Sequence, residues 1–559
     1  MTMTMSLNTG SSTSEESVST SVRRAPPRPK IQELPEGMDP TKFSTLKKLH
    51  VVFVGTWFTV NSAIGSSLPS GAVSWIADDF SVTNPTHFVL LNSLFLVGYS
   101  VGPLFFGPMS EYAGRSRVLL AAYVGYCIFT LACAVAPSYP ALLVFRLLGG
   151  MNAACTNAVV GGLFADIYDE PIQRGRVLAY FMTATTIGPP LGPIISGFAS
   201  TIDWRLTFWI GLALVGLGLP ALITLPETYV PVIRRRLKQK ARKAERASQA
   251  EKASRDDPDM PALTKTETLS GNIQVIFARP FTMMVREPVV LFSSLYMALV
   301  YSILYLFFQA YPIIFQGVYD MEPGFVGLAF LPVLGGSAAA LAVFMWFSAY
   351  HAAALRRGAS WTRQDEYRRL PLACIGGPAY VPPTSPCFFS LFSCSSRQHR
   401  ILSCADTNTL RLSLSLFWLG WSSRATVHPA VPMMSGFLFG AGYLLIFMAM
   451  LNYLTDAYRQ FSASAHTAAS TTRSVCAVCL PLATRPMYAR LGIAWACSLL
   501  GLVALAMAVI PFVFIRCGRS IRERSPFCQQ VLALERPADD TDEEEARGEE
   551  LRRPGTLNA

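Results

Sequence analysis

The sequence predicts an all-α protein that crosses a membrane twelve times, and three observations predict it. Hydrophobic residues make up 51% of the 559 residues and charged residues only 15%. The charges crowd into the two ends, one central stretch and short loops. Between them recur apolar runs of about 20 residues, long enough to cross roughly 30 Å of hydrocarbon as helix. The Lys and Arg behind the net charge of +11 flank those runs in alternate loops, which is the signature of positive charge held on one side of a bilayer. A soluble enzyme and a nucleic-acid-binding protein are thereby excluded.

Residues 1–48 are rich in Ser, Thr and Pro and lack the apolar core of a signal peptide, so they read as a disordered cytosolic tail. Six spans follow within 49–226, near 49–73, 88–107, 118–138, 141–165, 176–199 and 205–225. Residues 227–287 form a polar connector whose run from Arg234 to Arg246 suits a segment lying on an anionic leaflet. A second set occupies 288–516, with spans near 288–316, 325–350, 430–455, 462–484 and 492–515, and residues 517–559 are an acidic tail. Arg115, Arg117, Arg174, Arg176 and the run from Arg516 to Arg524 share one side, so both termini are expected in the cytosol; Arg485 and Arg490 are the exceptions.

The ninth span is interrupted. Residues 369–381 begin like a membrane helix and 416–421 finish it, but 382–415 stand between them. A loop of that length has no place at bilayer depth unless protein or water satisfies its backbone. Joining the flanks restores a run of nearly spanning length, so the insert reads as translated intron. The alternative is a genuine loop that splits two half-helices.

Among the twelve cysteines, Cys127, Cys133, Cys155, Cys476 and Cys497 fall inside spans, where cysteine is a small hydrophobe. Cys476 and Cys479 have CxxC spacing but no neighbouring His or further Cys, so no metal site is expected. No GxxxxGK[ST] motif for ATP occurs, and the six His are scattered over different segments, so neither an ATP-driven pump nor an enzyme is indicated.

Three motifs carry chemistry. After the second span, GPMSEYAGRSR supplies small residues for a tight turn, an acid to accept hydrogen bonds and basic residues for the cytosolic side. Arg146 lies inside the apolar fourth span, where a charge costs several kcal/mol unless it faces the bundle interior. The fifth span holds IGPPLGPIISGF, dense in residues that permit close packing and bending.

These motifs resemble those of the major facilitator superfamily. Gly107, Gly114, Arg115 and Arg117 match GxLxDRxGRR, with Glu111 for its Asp and Tyr112 for its first Arg, and the resemblance implies a conformational latch between two halves. Arg146 and Gly150 match RxxxG, which implies support of a proton relay; Asp166, at the end of the same span, is the other coupling candidate beside Glu111. Gly188, Pro189, Gly192, Pro193 and Gly197 resemble the GPxxGG motif of drug:proton antiporters, with Pro193 in place of the second adjacent Gly. DWRLTFWI, LPETYVPV, NYLTDAY and IRERSPFC look like the fungal DHA1 branch of polyamine and multidrug antiporters.

The resemblance implies the major facilitator fold, two six-helix bundles around a central cavity, exporting small organic molecules by alternating access. It implies no cofactor beyond the proton gradient, a monomer in the lipid bilayer with no nucleic-acid partner, and residence in the plasma membrane or the vacuolar membrane. Tyr301, Tyr305, Phe308, Gln309 and Tyr311 on the seventh span offer an aromatic, weakly polar substrate surface unless they face lipid, and Arg473 is a second intramembrane charge expected in the cavity. The resemblance implies a Glu, found in several members, where Gln309 stands, and its loss argues against a cationic substrate. A non-transporting sensor of the same fold and a defective product of the interrupted span are the alternatives.

Overall fold

The computed structural model describes residues 38–168, 170–239, 281–357, 411–458, 462–523, 525 and 527–529. The tail before residue 38, connector residues 240–280, residues 358–410, which hold the predicted first part of the ninth span (369–381) and most of the insert, and the tail beyond 529 lie outside the described residues. Every regular element that is described is helical.

The first half is built from α1 (Thr45–Ser67), α2 (Pro85–Ala113), α3 (Arg115–Ala134), α4 (Tyr139–Ile167), α5 (Pro171–Ala199) and α6 (Trp204–Ile223). Local chemistry sets several of the starts. Pro stands in the first turn of α4 and α5, where its missing N–H costs nothing, and Asp203 caps α6 by accepting from the Arg205 N–H at 2.9 Å. Pro69 stops α1, which passes into a 3-10 turn, Leu68–Gly71. The fourth span, read from sequence as one helix, is two segments that meet at Ala154.

The second half contains α7 (Pro288–Tyr311), α8 (Pro323–Arg356), α9 (411–422) and α10 (Ala430–Tyr458). Ser462–Met507 follows, with Gly492 at φ 72° and ψ 170°, outside the helical region. The Tyr488 hydroxyl and Cys497 Sγ stand 3.3 Å apart, although nine residues of straight helix would separate them by about 13 Å. The chain therefore reverses at Gly492 into α11 before it and α12 after it, the latter continuing into Val509–Glu523.

The α9 segment takes in the last five residues of the predicted insert, 382–415. Residues 411–415 are helical and continuous with 416–422, and Leu412, Leu416 and Leu419 are 0%, 0% and 1% exposed. Their i, i+4, i+7 spacing forms one buried face, which the alternating run RLSLSL hides on reading.

The two halves repeat one packing scheme. In the first, α2 crosses α4 so closely that a Cβ on Gly98 would overlap the Leu147 carbonyl and one on Gly150 the Phe95 carbonyl. In the second, α8 crosses α10 the same way through Gly336 against Phe437 and Gly440 against Val333. Backbones in lipid approach this closely only where side chains are absent. The outer faces stay apolar, with Leu217 on α6 70% and Trp495 on α12 63% exposed, as lipid contact requires. The chain is a multi-pass membrane protein.

Candidate functional site

The loop between α2 and α3 turns on Gly114, whose φ of 105° belongs to glycine. A Cβ there would also overlap the Glu227 carboxylate. Glu227, just beyond α6, accepts from the Arg115 backbone N–H at 2.8 Å through Oε1 and from Arg236 Nη2 at 3.2 Å through Oε2. The Arg115 guanidinium, 6% exposed, runs inward, donates to Asp166 Oδ2 at 3.2 Å and to Ser110 Oγ at 3.0 Å, and lies against Gly162, which leaves it room. Asp166 accepts a second bond from Thr228 Oγ1 at 3.3 Å. The latch motif is thus a charge network, Asp166–Arg115–Glu227–Arg236, that ties α3 to α4 and to the chain beyond α6.

Three of the predicted latch residues stand apart from it. Glu111 finds no polar partner among the described residues, and Glu227 supplies the acid expected of it. Arg117 points outward, exposed. Gly107 faces Ala158 of its own half and Thr467 across the seam between the halves.

Arg146 is 3% exposed and fully occupied. Its Nη1 donates to the Gly65 carbonyl at 2.6 Å, Nη2 to Ser66 at 3.2 Å and Nε to Leu91 at 2.9 Å, and its plane lies 4.4 Å from the Phe95 ring centroid. The reason is local: residue 69 is Pro, so the Gly65 carbonyl has no i+4 N–H to accept from, and the guanidinium takes its place. Arg146 and Asp166, grouped from sequence as coupling residues, are not brought together.

On α5 the glycines and prolines work in two directions. Gly188 and Gly192 sit against Ala63 and Ser67 of α1, and Ser67 Oγ donates at 2.6 Å to the Pro189 carbonyl, which Pro193 leaves without its helical donor. One turn on, Ser196 Oγ accepts from the Gly71 N–H at 2.9 Å. The opposite face meets the other half: a Cβ on Gly197 would stand 2.7 Å from the Pro323 carbonyl oxygen, and one on Gly327 2.6 Å from that of Pro193.

The predicted substrate residues divide by depth. Gln309 lines a cavity of ≈ 140 Å³ between the halves, shared with Ser70, Ser74, Phe308, Gln316 and Arg485. Arg473 lines a second void of ≈ 20 Å³ with Asn157, Met297, His466 and Ser470. Tyr305 and Tyr301 connect the two. Ring centroids step 5.3 Å from Phe308 to Tyr305 and 4.8 Å on to Tyr301, over which Arg473 lies at 5.0 Å. Tyr305 Oη is 2.5 Å from Ser66 Oγ, so this column touches α1 of the other half. Nearby, Asn157 Nδ2 donates to Ser470 Oγ at 3.2 Å and Thr471 Oγ1 to the Ser100 carbonyl at 3.3 Å, closing α4 and α2 against α11.

Sequence reasoning missed Glu227, Phe447 and Glu287. Phe447 packs 6.2 Å from Tyr301 and stacks on Tyr443 at 4.5 Å. Glu287, 0% exposed, accepts from Tyr458 Oη at 2.9 Å at the start of α7. Its position before a Pro, at a helix start, was the available signal.

The family model for the Major Facilitator Superfamily matches residues 56–378. The chain is 34% identical over 483 residues to the ascochitine biosynthesis cluster MFS transporter of Didymella fabae, covering 86% of this chain and 84% of that one. It is 32% identical over 510 residues to the MFS-type efflux pump MFS2 of Trichophyton rubrum, 90% of this chain and 78% of the other. Among solved structures, the proton:xylose symporter XylE superposes with a TM-score of 0.57 at 15% identity, over 85% of this chain and 97% of its own.

Proposed function

Given that this chain belongs to the major facilitator superfamily, a family of transporters and not of enzymes, we propose that it exports small organic molecules by alternating access, driven by a proton gradient. The observation that carries the reading is the double packing of α5. One glycine face lies on α1 of its own half and the next turn lies on α8 of the other, with no side chain interposed. Pro189, Pro190 and Pro193 remove three backbone hydrogen bonds from that helix, so it bends at low cost where the halves meet. The α5–α8 contact and the α2–α11 contact are then the two seams that part in turn, rocking about the aromatic column.

Export as the direction is supported by the antiporter-type motif and by relatives named efflux pumps. The basic loops suit a cytosolic latch end with both termini in the cytosol, and the plasma membrane, with the vacuolar membrane as the alternative, is the proposed site of action. Asp166, held by Arg115 and Thr228, is the coupling carboxylate in this reading, and the proton gradient is the only energy source required. Residues 382–410 are proposed to be translated intron; the family match ends at residue 378, four residues before them.

The test expresses the chain with and without residues 382–410 in a drug-sensitive yeast and measures resistance to a panel of toxins and azoles, with and without a protonophore. Resistance that requires removal of the segment and collapses with the protonophore is the expected result. Resistance that survives loss of the proton gradient overturns the coupling. Absence of resistance from both forms, with both at the cell surface, overturns drug export.

A further inference from the structure

Among the described residues the buried Arg and Glu side chains are Arg115, Arg146, Arg473 and Glu287. Arg115 is paired with Asp166, and Arg146 is spent on three carbonyls. Arg473, 6% exposed, is different. Its Nη2 stands 3.5 Å from Ser470 Oγ, its Nε reaches no acceptor, and no described ion pair includes it. Two rings, Tyr301 at 5.0 Å and Phe447 at 5.6 Å, face the guanidinium. Cation–π contacts offset part of the desolvation of a buried charge and not the whole, which is several kcal/mol. Glu287 forms no ion pair with it among the described residues; that carboxylate accepts from Tyr458 Oη at 2.9 Å.

The unpaired cation sits where cargo would pass. It borders the ≈ 20 Å³ void at the seam between the halves, room for about one water. From there the column Tyr301–Tyr305–Phe308 leads to the ≈ 140 Å³ cavity, whose lining holds a second cation, Arg485, two glutamine amides and no carboxylate. A cationic cargo would meet repulsion at both stations. A neutral one would leave Arg473 uncompensated throughout.

We propose that the exported molecule is an organic anion, a carboxylate or enolate on a flat apolar body, whose charge pairs with Arg473 while its rings lie on Tyr301, Tyr305 and Phe447. Arg485 then meets the anion at the wider mouth. The proposal rests on the export reading and names its substrate class. The void is too small for such a ligand in the described state, so the site fills when the α4–α11 seam around Asn157 and Ser470 parts. Chemically, a planar guanidinium with free N–H groups is matched to a carboxylate fork.

The test uses the full chain, lacking only residues 382–410, in sealed inside-out vesicles with an imposed proton gradient. The probes are benzoate, 2-naphthoate and anthracene-9-carboxylate, each beside its neutral amide and its aminomethyl cation. The expected result is gradient-driven uptake of at least one carboxylate, about tenfold or more above its amide, as one charge-assisted bond in a desolvated site provides. Arg473→Lys keeps the anion preference at reduced rate. Arg473→Gln abolishes the preference while still moving the amide, which shows that it is folded. Amide or amine uptake equal to or above that of the matching carboxylate overturns the anion class and leaves export standing. Equal anion preference in Arg473→Gln overturns the site. No gradient-driven uptake of any probe overturns this proposal, while the resistance test decides export separately.

Discussion

Arg146 in the first half and Arg473 in the second are buried to nearly the same degree, 3% and 6% exposed, and are held in opposite ways. Arg146 meets three backbone carbonyls at 2.6–3.2 Å, one of them released by Pro69, and so stitches α4 to the end of α1 and to α2. Arg473 has aromatic faces and a single long contact to Ser470. Burial of a charge is therefore not one kind of signal. In the first half it is part of the scaffold, and in the second it is an unmet electrostatic demand at the seam between the halves.

The largest expected effect breaks the scaffold side of that comparison. Arg146→Met leaves the Gly65, Ser66 and Leu91 carbonyls without their donor in a dry interior, at a cost of about 3 kcal/mol. The measurement is the fraction of detergent-solubilised protein that remains monodisperse on heating, and an unchanged melting curve would refute the scaffold role. Next in size, Asp166→Asn leaves the nearly buried Arg115 without its carboxylate, for a loss of about 2 kcal/mol by the same measurement. Glu227→Gln should cost less, because the amide still accepts from the Arg115 N–H. If the order is reversed, the latch is centred on Glu227 and not on Asp166.

A smaller effect belongs to the joint between α1 and α5. Ser67→Ala removes the hydroxyl that caps the Pro189 carbonyl at 2.6 Å and should cost about 1 kcal/mol. Gly192→Ala, by contrast, drives a methyl into Ser67 and the α1 backbone. It should impair transport more than folding in the proposed cycle, because the clash falls beside Pro189–Pro193, where α5 is proposed to bend. Equal rates for Gly192→Ala and the wild type, in any assay in which the wild type moves a probe, would remove α5 from the mechanism.

Much of the fold was legible because hydrophobic length and Gly/Pro placement are local properties. The apolar helical spans that are described, the turn at Gly114 and the close-packing glycines of α5 all follow from residues a few positions apart. The charge network was half legible: Arg115 and Asp166 belong to recognisable motifs, but Glu227 joins them from 112 residues away, in a loop whose LPETYVPV gives no hint of its partner. Glu111 was the acid at the right spacing and the wrong place. The break of α4 at Ala154 has neither Pro nor Gly within three residues to announce it. Arg146 and Arg473 look alike in sequence, each a lone Arg in an apolar helix, because what separates them is the set of carbonyls that three other segments bring to one and not to the other.

The smallest expected effect on stability is the sharpest test of the comparison. Arg473→Met replaces an unpaired guanidinium by an apolar side chain of similar reach, flexible enough to fill the space against Tyr301 and Phe447. Replacing buried charges by apolar groups of like volume is often neutral or stabilising, so the melting curve should be unchanged or shifted upward by the equivalent of about 1 kcal/mol. The same substitution at 146 is expected to cost about 3 kcal/mol, and the two variants differ in nothing but position. A destabilisation at 473 as large as at 146 would mean that Arg473 is scaffold too, its acceptors supplied by waters in the ≈ 20 Å³ void. A silent melting curve together with lost anion preference would separate the charge that holds the fold from the charge that waits for the cargo.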